Sequence, residues 1–323
     1  MSRKIVRCVF ALMAVALLGA QASAQQFPAT ERVITTIVPV AAGGGTDVFA
    51  RQVAPLMAKD LGIPVQVVNK PGGSMQIGAN EVVAAKPDGY TLLWIVLPTA
   101  AAYLDPDRKS IYARKDLQPI GSAFEVAPAI SVLATSPYQS LKDLVDAAKA
   151  NPGKFKGGTA GVLSTGHLAS LAFQRSVGIR LATVNFQGGA PQLTALLGGH
   201  IDVAFNTIGE ALPQAKNGTV RILGVMSDQP HPSGVPTIRA QGFSTETLSV
   251  NVGLVGPAGL PKDIVAILSA SLRKALEDEG VRKFMAENAS TLSYLPPEQY
   301  AAHWDTIDAR FKPLIDLAKQ DTK

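Results

Sequence analysis

Short runs of β-branched and aliphatic residues alternate with helix-length segments through most of this chain, and the junctions are repeatedly rich in Gly, Ser and Thr. That alternation restricts the fold to the α/β class, in which strands of largely parallel sheets are joined by helical crossovers. Residues 33–38 form a β-branched run ending at Pro39, and a helical pattern follows with Phe49, Val53, Leu56 and Met57 on one face. Pro55 lies inside that pattern and predicts a kink or a break, since a mid-helix proline costs about 3 kcal/mol. Residues 65–68 read as a strand, 77–85 as a helix, Lys86-Pro-Asp-Gly89 as a turn, and 91–97 as a buried parallel strand.

A second alternating series begins after about Gln118. Ser140 is positioned to cap a helix running to Ala150, with Leu141, Leu144, Val145 and Ala148 inward. Strands are expected at 155–160, 181–186, 201–205 and 220–226, with helices from His167, from Pro191 as first helical residue, and from about Gly209. A strand at 250–255 and helices at 261–275, 281–287 and 297–319, the last bent at Pro313, complete the chain. These final elements are too few for a third lobe. The economical arrangement returns them to the first, giving lobe 1 as residues 25–125 plus 251–323 and lobe 2 as residues 126–250. The crossings near 120–130 and 245–255 would form a hinge. With 47% hydrophobic residues, a chain of this length can bury two such cores.

The first two dozen residues have a different character. Arg3, Lys4 and Arg7 precede an apolar run from Cys8 to Ala20, and Ala22-Ser23-Ala24 offers a small-x-small processing site. This is the layout of a secretory signal peptide. The apolar run is short of the roughly 20 residues that span a bilayer, which weakens the alternative of an uncleaved anchor. Cys8 precedes the run, which argues against a lipoprotein. Cleavage after Ala24 would leave 299 of the 323 residues, exported to the periplasm. The only cysteine leaves with the signal, so disulfide scaffolds, thiolate metal sites and cysteine nucleophiles are excluded from the mature chain. Losing three of the 30 basic residues leaves 27 against 25 acidic, a balance with no electrostatic case for nucleic acid.

In open α/β sheets ligands bind beyond the carboxyl ends of strands, where turns enter helices. Four turns here have the composition for it. The first is Pro39-Val-Ala-Ala42-Gly43-Gly44-Gly45-Thr46-Asp47. Its glycines allow close backbone approach, and the following helix N-terminus favours an anion. A tight turn with Thr46 or Asp47 as a helix cap is an equal reading, and Arg51, four residues after Asp47, offers a plain surface pair. In the second series the candidates are Ser164, Thr165 and His167, then Phe186, Gly188 and Gly189, then Asn206. Capping is the simpler use of a lone histidine such as His167. Thr99, after the strand at 91–97, could add a hydroxyl or merely end the strand.

Enzymatic signatures are sparse. Gly161-Val-Leu-Ser164-Thr-Gly166 has the wrong spacing for a nucleophile elbow, and the Gly43 cluster lacks both the Gly-Lys-Ser/Thr of a phosphate loop and the third glycine of a dinucleotide fingerprint. His167, His200, His231 and His303 show no metal-ligand spacing, and His231, between prolines, is expected to be solvated. No cofactor is expected. A secreted α/β hydrolase using Ser164 is the alternative from another class.

The first turn with Ala50-Arg51, together with Val67-Val-Asn-Lys-Pro-Gly72, Pro87-Asp-Gly-Tyr-Thr-Leu92, residues 164–168, Gly188-Gly189-Ala190, Leu196-Leu-Gly-Gly199 and Pro236-Thr237, resembles the tripartite tricarboxylate transporter substrate-binding proteins, also called the Bug family. The resemblance covers essentially the whole mature chain. It implies a type 2 periplasmic-binding-protein fold with an interlobe ligand cleft. It also implies capture of a small organic acid through backbone amides, polar side chains and water, and delivery to integral membrane transporter subunits by a monomeric binding protein. A sensor subunit docking on a receptor kinase would look the same in sequence. Three positions depart from the family pattern: Gly72-Gly-Ser-Met75 replaces a more glycine-rich segment, Phe186 stands where tyrosine is common, and Asn206 where an acidic residue is frequent. A carboxylate is expected between residues 43–47 and 164–167, met by N–H dipoles and hydroxyls, with no arginine in either segment. Asp47 would hold a ligand hydroxyl, an amine or a bridging water.

Overall fold

The computed structural model describes residues 27–321 except 228–229 and 246–247. The expected signal segment, residues 1–24, lies outside these residues. Strand β1 (Ile34–Val38) leads through the glycine turn into helix α1 (Gly45–Leu61), then β2 (Val65–Asn69), α2 (Gln76–Val83) and β3 (Thr91–Leu97). β4 (Leu117–Val126) and β5 (Pro128–Leu133) follow with only Ala127 between them. Next come α3 (Leu141–Ala150), β6 (Lys156–Thr159), α4 (Thr165–Val177), β7 (Ala182–Asn185), α5 (Gly189–Leu197), β8 (Val203–Thr207), α6 (Ile208–Lys216) and β9 (Val220–Val225). β10 (Val250–Pro257), α7 (Lys262–Leu276), α8 (Glu279–Glu287), the two-residue β11 (Thr291–Leu292) and α9 (Pro297–Asp321) end the chain.

The strands make two mixed sheets, ordered β2-β1-β3-β10-β4-β11 and β7-β6-β8-β5-β9. β1 is parallel to β2 and β3, whereas β10 runs antiparallel between β3 and β4. The second sheet repeats the theme: β6 is parallel to β7 and β8, and β5 runs antiparallel between β8 and β9. The chain passes from the first sheet to the second at Ala127 and returns at Val250, whose register partner is Val126. The two crossings therefore lie side by side. This is a two-lobed α/β architecture, one sheet to each lobe.

Local sequence explains the elements. Ser140 caps α3 by accepting the Asp143 N–H at 3.2 Å, and Asp143 accepts the Ser140 N–H in return at 2.9 Å, a reciprocal pair that satisfies two otherwise orphaned donors. Leu141, Leu144, Val145 and Ala148 are buried, as their spacing requires. Phe49 on α1 packs edge-on to Trp94 at 5.3 Å and against Phe124 at 4.5 Å, and full burial of such a ring is worth about 1.5–3 kcal/mol.

Some expectations need correction. Pro55 does not divide α1, which runs unbroken for 17 residues. Pro55 is exposed, while buried Val53, Ala54 and Met57 hold the other face. Pro313 lies inside α9 at the position where a bend is expected, and the helix is continuous through it. Pro191 is the third residue of α5, which begins at Gly189. His231 is partly buried, and burial lowers its pKa.

α9 is shared between the lobes. Tyr300 and Trp304 are fully buried, and Trp304 Nε1 donates to Tyr103 at 2.9 Å on the first lobe. The same helix packs against β4 and also against α4 of the second lobe. No helix among the described residues is long and apolar enough to cross a membrane.

Candidate ligand-binding site

A cavity of about 440 Å³ lies between the two sheets. Four helices begin at its wall: Gly45 of α1, Thr165 of α4, Gly189 of α5, and Thr207 capping α6. Each helix start presents unpaired N–H groups and a partial positive charge near half a unit. Phe49, Val96, Phe124, Val126, Val250 and Val252 supply an apolar part of its wall.

Of the residues singled out in the sequence, Ala42, Gly43, Gly44, Gly45, Thr46, Thr99, Ser164, Thr165, Gly188, Gly189 and Asn206 line this cavity. Asp47, His167 and Phe186 do not. Asp47 lies behind the glycine turn, with its carboxylate already committed. It accepts the Gly43 N–H at 2.8 Å, the Asn69 amide at 2.9 Å and Arg51 Nε at 3.0 Å. Burial pushes its pKa up, but the hydrogen bonds from Arg51, Gly43 and Asn69 outweigh that and leave it below 3.8. Asp47 thus shapes the turn; the Gly43 N–H is bonded to Asp47 and the Gly44 N–H to the Ala41 carbonyl at 3.2 Å, which leaves the N–H groups of Gly45 and Thr46 for a ligand. Gly43 has φ of +81°, a left-handed conformation that disfavours any side chain there.

His167 is also an internal brace. Its ring Nδ1 accepts the Leu163 N–H at 3.0 Å, and its own N–H donates to Ser164 Oγ at 3.1 Å. Neutral His167 therefore carries its proton on Nε2. With Nδ1 committed to Leu163, this ring nitrogen is not a base for the Ser164 hydroxyl. Phe186 packs with Leu196 and Ile201 behind β6, where Gly158 leaves room for its ring.

Two buried groups point to an absent partner. Thr165 Oγ1 has no hydrogen-bond partner among the described residues, and the residue is 5% exposed. Asn206 is 4% exposed; Ser131 Oγ donates to its Oδ1 at 2.9 Å, and its Nδ2 is left without an acceptor. Leaving such groups unsatisfied costs about 1–3 kcal/mol each, which a ligand would recover. Among the described residues, no Lys, Arg or His lines the cavity.

Sequence reasoning did not find the far wall. Glu210, Phe284, Met285, Asn288 and Ser290 all line the cavity. Thr207-x-x-Glu210 was legible as a capping pair, and Thr207 does cap α6. Asn288 and Ser290 carry no local signal, because only the return of β11 to the first sheet brings them there. The lobes touch at both rims: Ser74 Oγ donates to the Val162 carbonyl at 3.2 Å, and a Cβ on Gly209 would stand 2.8 Å from the Asn288 carbonyl oxygen.

These contacts separate two hydroxyls that look alike in sequence. Thr165→Val is expected to leave apo stability unchanged or raised, since it removes an unpaired buried oxygen, and to weaken the bound acid about tenfold. Ser164→Ala should instead lower stability by about 1 kcal/mol, because Ser164 caps α4. Thermal unfolding and titration calorimetry on both variants check this. Parent-like affinity in Thr165→Val would remove that hydroxyl from the site.

The family model for the tripartite tricarboxylate transporter family receptor matches residues 49–319. A protein of Cupriavidus necator, described as the UPF0065 protein in the gbd 5' region, is 31% identical over 93% of this chain and 91% of its own. MatC of Rhodopseudomonas palustris, solved with bound malate, is 29% identical with a TM-score of 0.81, covering 90% of this chain and all of that one. A second R. palustris protein, Rpa4515, solved with adipate, is 25% identical with a TM-score of 0.83, covering 91% and 98%.

Proposed function

Because the chain belongs to the tripartite tricarboxylate transporter receptor family, a family of solute-binding proteins with a transport function, we propose that it captures a small carboxylate-bearing organic acid in the periplasm and delivers it to integral membrane transporter subunits. One observation carries the ligand class. The cavity is ringed by helix N-termini and by the unpaired donors of Thr165 and Asn206, yet among the described residues it is lined by no cationic side chain. Such a site suits an anion held by oriented dipoles, which are in place before the ligand arrives. Hydrogen bonds to a charged group contribute roughly 1.5–3 kcal/mol each, so four or so reach micromolar affinity. The relatives bound to malate and adipate support the reading.

Residues 25–125 with 251–323 would move as one unit and residues 126–250 as the other, about the paired strands at Val126 and Val250. The ligand would bind the open form and favour the closed one by bridging both lobes. The rim contacts at Ser74 and Gly209 are those of the closed form. The turn of Gly43, Gly44, Gly45 and Thr46 would meet the carboxylate from one lobe, through the N–H groups of Gly45 and Thr46, and Ser164 and Thr165 would meet it from the other. Delivery to the membrane would follow export and removal of residues 1–24.

A thermal-shift screen of three- to eight-carbon mono- and dicarboxylates, confirmed by calorimetry, tests the ligand class. At a ligand concentration of 1,000 Kd the stabilisation should approach about 4 kcal/mol. Stabilisation by a sugar or a cation and by no acid would overturn the proposal.

A further inference from the structure

Among the described residues lining the cavity, Glu210 is the only ionisable one. A capping carboxylate needs one oxygen, and Glu210 uses Oε2 for it: the Thr207 N–H and the Thr207 hydroxyl both donate there, each at 2.9 Å. Oε1 is left over. It lies against Gly189, so close that a Cβ at that position would come within 1.9 Å of it. Glycine at 189 thus makes room for this oxygen at the cavity wall. No lysine, arginine or histidine pairs with it among the described residues. The cavity therefore has donor-bearing groups, Thr165 Oγ1 and Asn206 Nδ2 buried without partners, and a separate acceptor on α6 that no cationic side chain pairs with among the described residues. A diacid would bring a second carboxylate into this enclosed space toward Glu210, where like charges repel.

We infer that the ligand bears a nitrogen donor, an amide or ammonium N–H, that meets Glu210 Oε1 while its carboxylate is held by the helix N-termini, so that the preferred class is amino- or amide-bearing acids. The inference rests on the carboxylate reading above and adds the other end of the molecule to it. Glu210 is a specificity-determining residue, and the charge on its free oxygen is what rejects a simple diacid.

The probes are succinate, glutarate and adipate, each beside its monoamide, which has the same shape and differs by one charge and one N–H donor. Calorimetry on the parent protein should show the monoamide of the fitting length binding about tenfold or more tightly than its diacid. Glu210→Gln keeps an acceptor for the Thr207 cap. In that variant the ratio should fall below about threefold, with the diacid gaining affinity. Equal or tighter binding of the diacid by the parent would overturn the inference, as would an unchanged ratio in a folded Glu210→Gln protein, and either leaves the carboxylate reading standing. Should no diacid or monoamide of any length bind the parent, the inference falls, and the carboxylate reading falls with it only if the monocarboxylates of the screen fail as well. The parent ratio decides the matter even if the variant fails to fold.

Discussion

Gly209→Val is expected to cost at least about a hundredfold in affinity for the captured acid while the apo protein unfolds at nearly the parent temperature. The nearest atoms to a Cβ at Gly209 are the carbonyl oxygen of Asn288 at 2.8 Å, the carbonyl carbon of Asn288 and Ser290 Oγ, both at 3.9 Å, and all three belong to the opposite lobe. None of these three nearest atoms is in its own lobe. The clash exists only when the rim closes, so a valine acts as a wedge. Holding the rim open by an ångström or more removes the hydrogen bonds that one lobe would contribute, and losing about 3 kcal/mol of them gives the hundredfold. Solution scattering should show the parent compacting on addition of ligand and the variant unchanged. Parent-like affinity, or compaction of the variant, would show that closure at this rim is not needed.

Asp47→Ala is expected to have the largest effect on stability, about 3 kcal/mol. Its carboxylate is 3% exposed and gathers Gly43, Asn69 and Arg51, so removal takes the shared acceptor from the Gly43 N–H, one Asn69 amide hydrogen and the Arg51 guanidinium at once. The glycine turn would lose its shape and binding would fall with it. The sign of the pH effect follows from the lowered pKa of Asp47. Its contribution is present above the unfolded value of 3.8 and is lost as pH falls through the lower folded value. Acid titration of thermal stability should therefore show a shallower decline below about pH 4 in the variant than in the parent. An equal slope would mean that the carboxylate is not what the turn depends on.

Asp47 also shows where sequence reading stops. The α/β class, the order of most elements and the Ser140 cap were legible because they rest on local periodicity and on donors satisfied within four residues. The glycine turns were legible for the same reason, and most of their residues do line the cavity. What spacing could not fix was the direction in which a polar side chain at a turn points. Asp47 and His167 turn away from the cavity to hold their own backbones, and Phe186 turns behind β6. The pairing of Asp47 with Arg51 was visible as an i,i+4 possibility, but the addition of Asn69 from β2 was not. Pro55 does not break α1, because the buried face of Val53, Ala54 and Met57 holds the helix through it despite a penalty of about 3 kcal/mol. Glu210 carries no local mark beyond a Thr207-x-x-Glu210 capping pattern, and only the nearness of Gly189 shows that one oxygen is left over.

The sharing of α9 between lobes bears on how the molecule can move. Two bodies joined only by adjacent strands, as at Val126 and Val250, can swing apart and also twist freely about one another. A third link placed off that axis, here α9 lying against α4, removes part of this liberty. Separation that preserves the helix–helix contact reduces to a roll of α4 over α9. Motion along one coordinate wastes little entropy when the ligand arrests it. If the lobes hinge as proposed, α9 would thereby act as a guide rail, reducing the angles through which capture has to work.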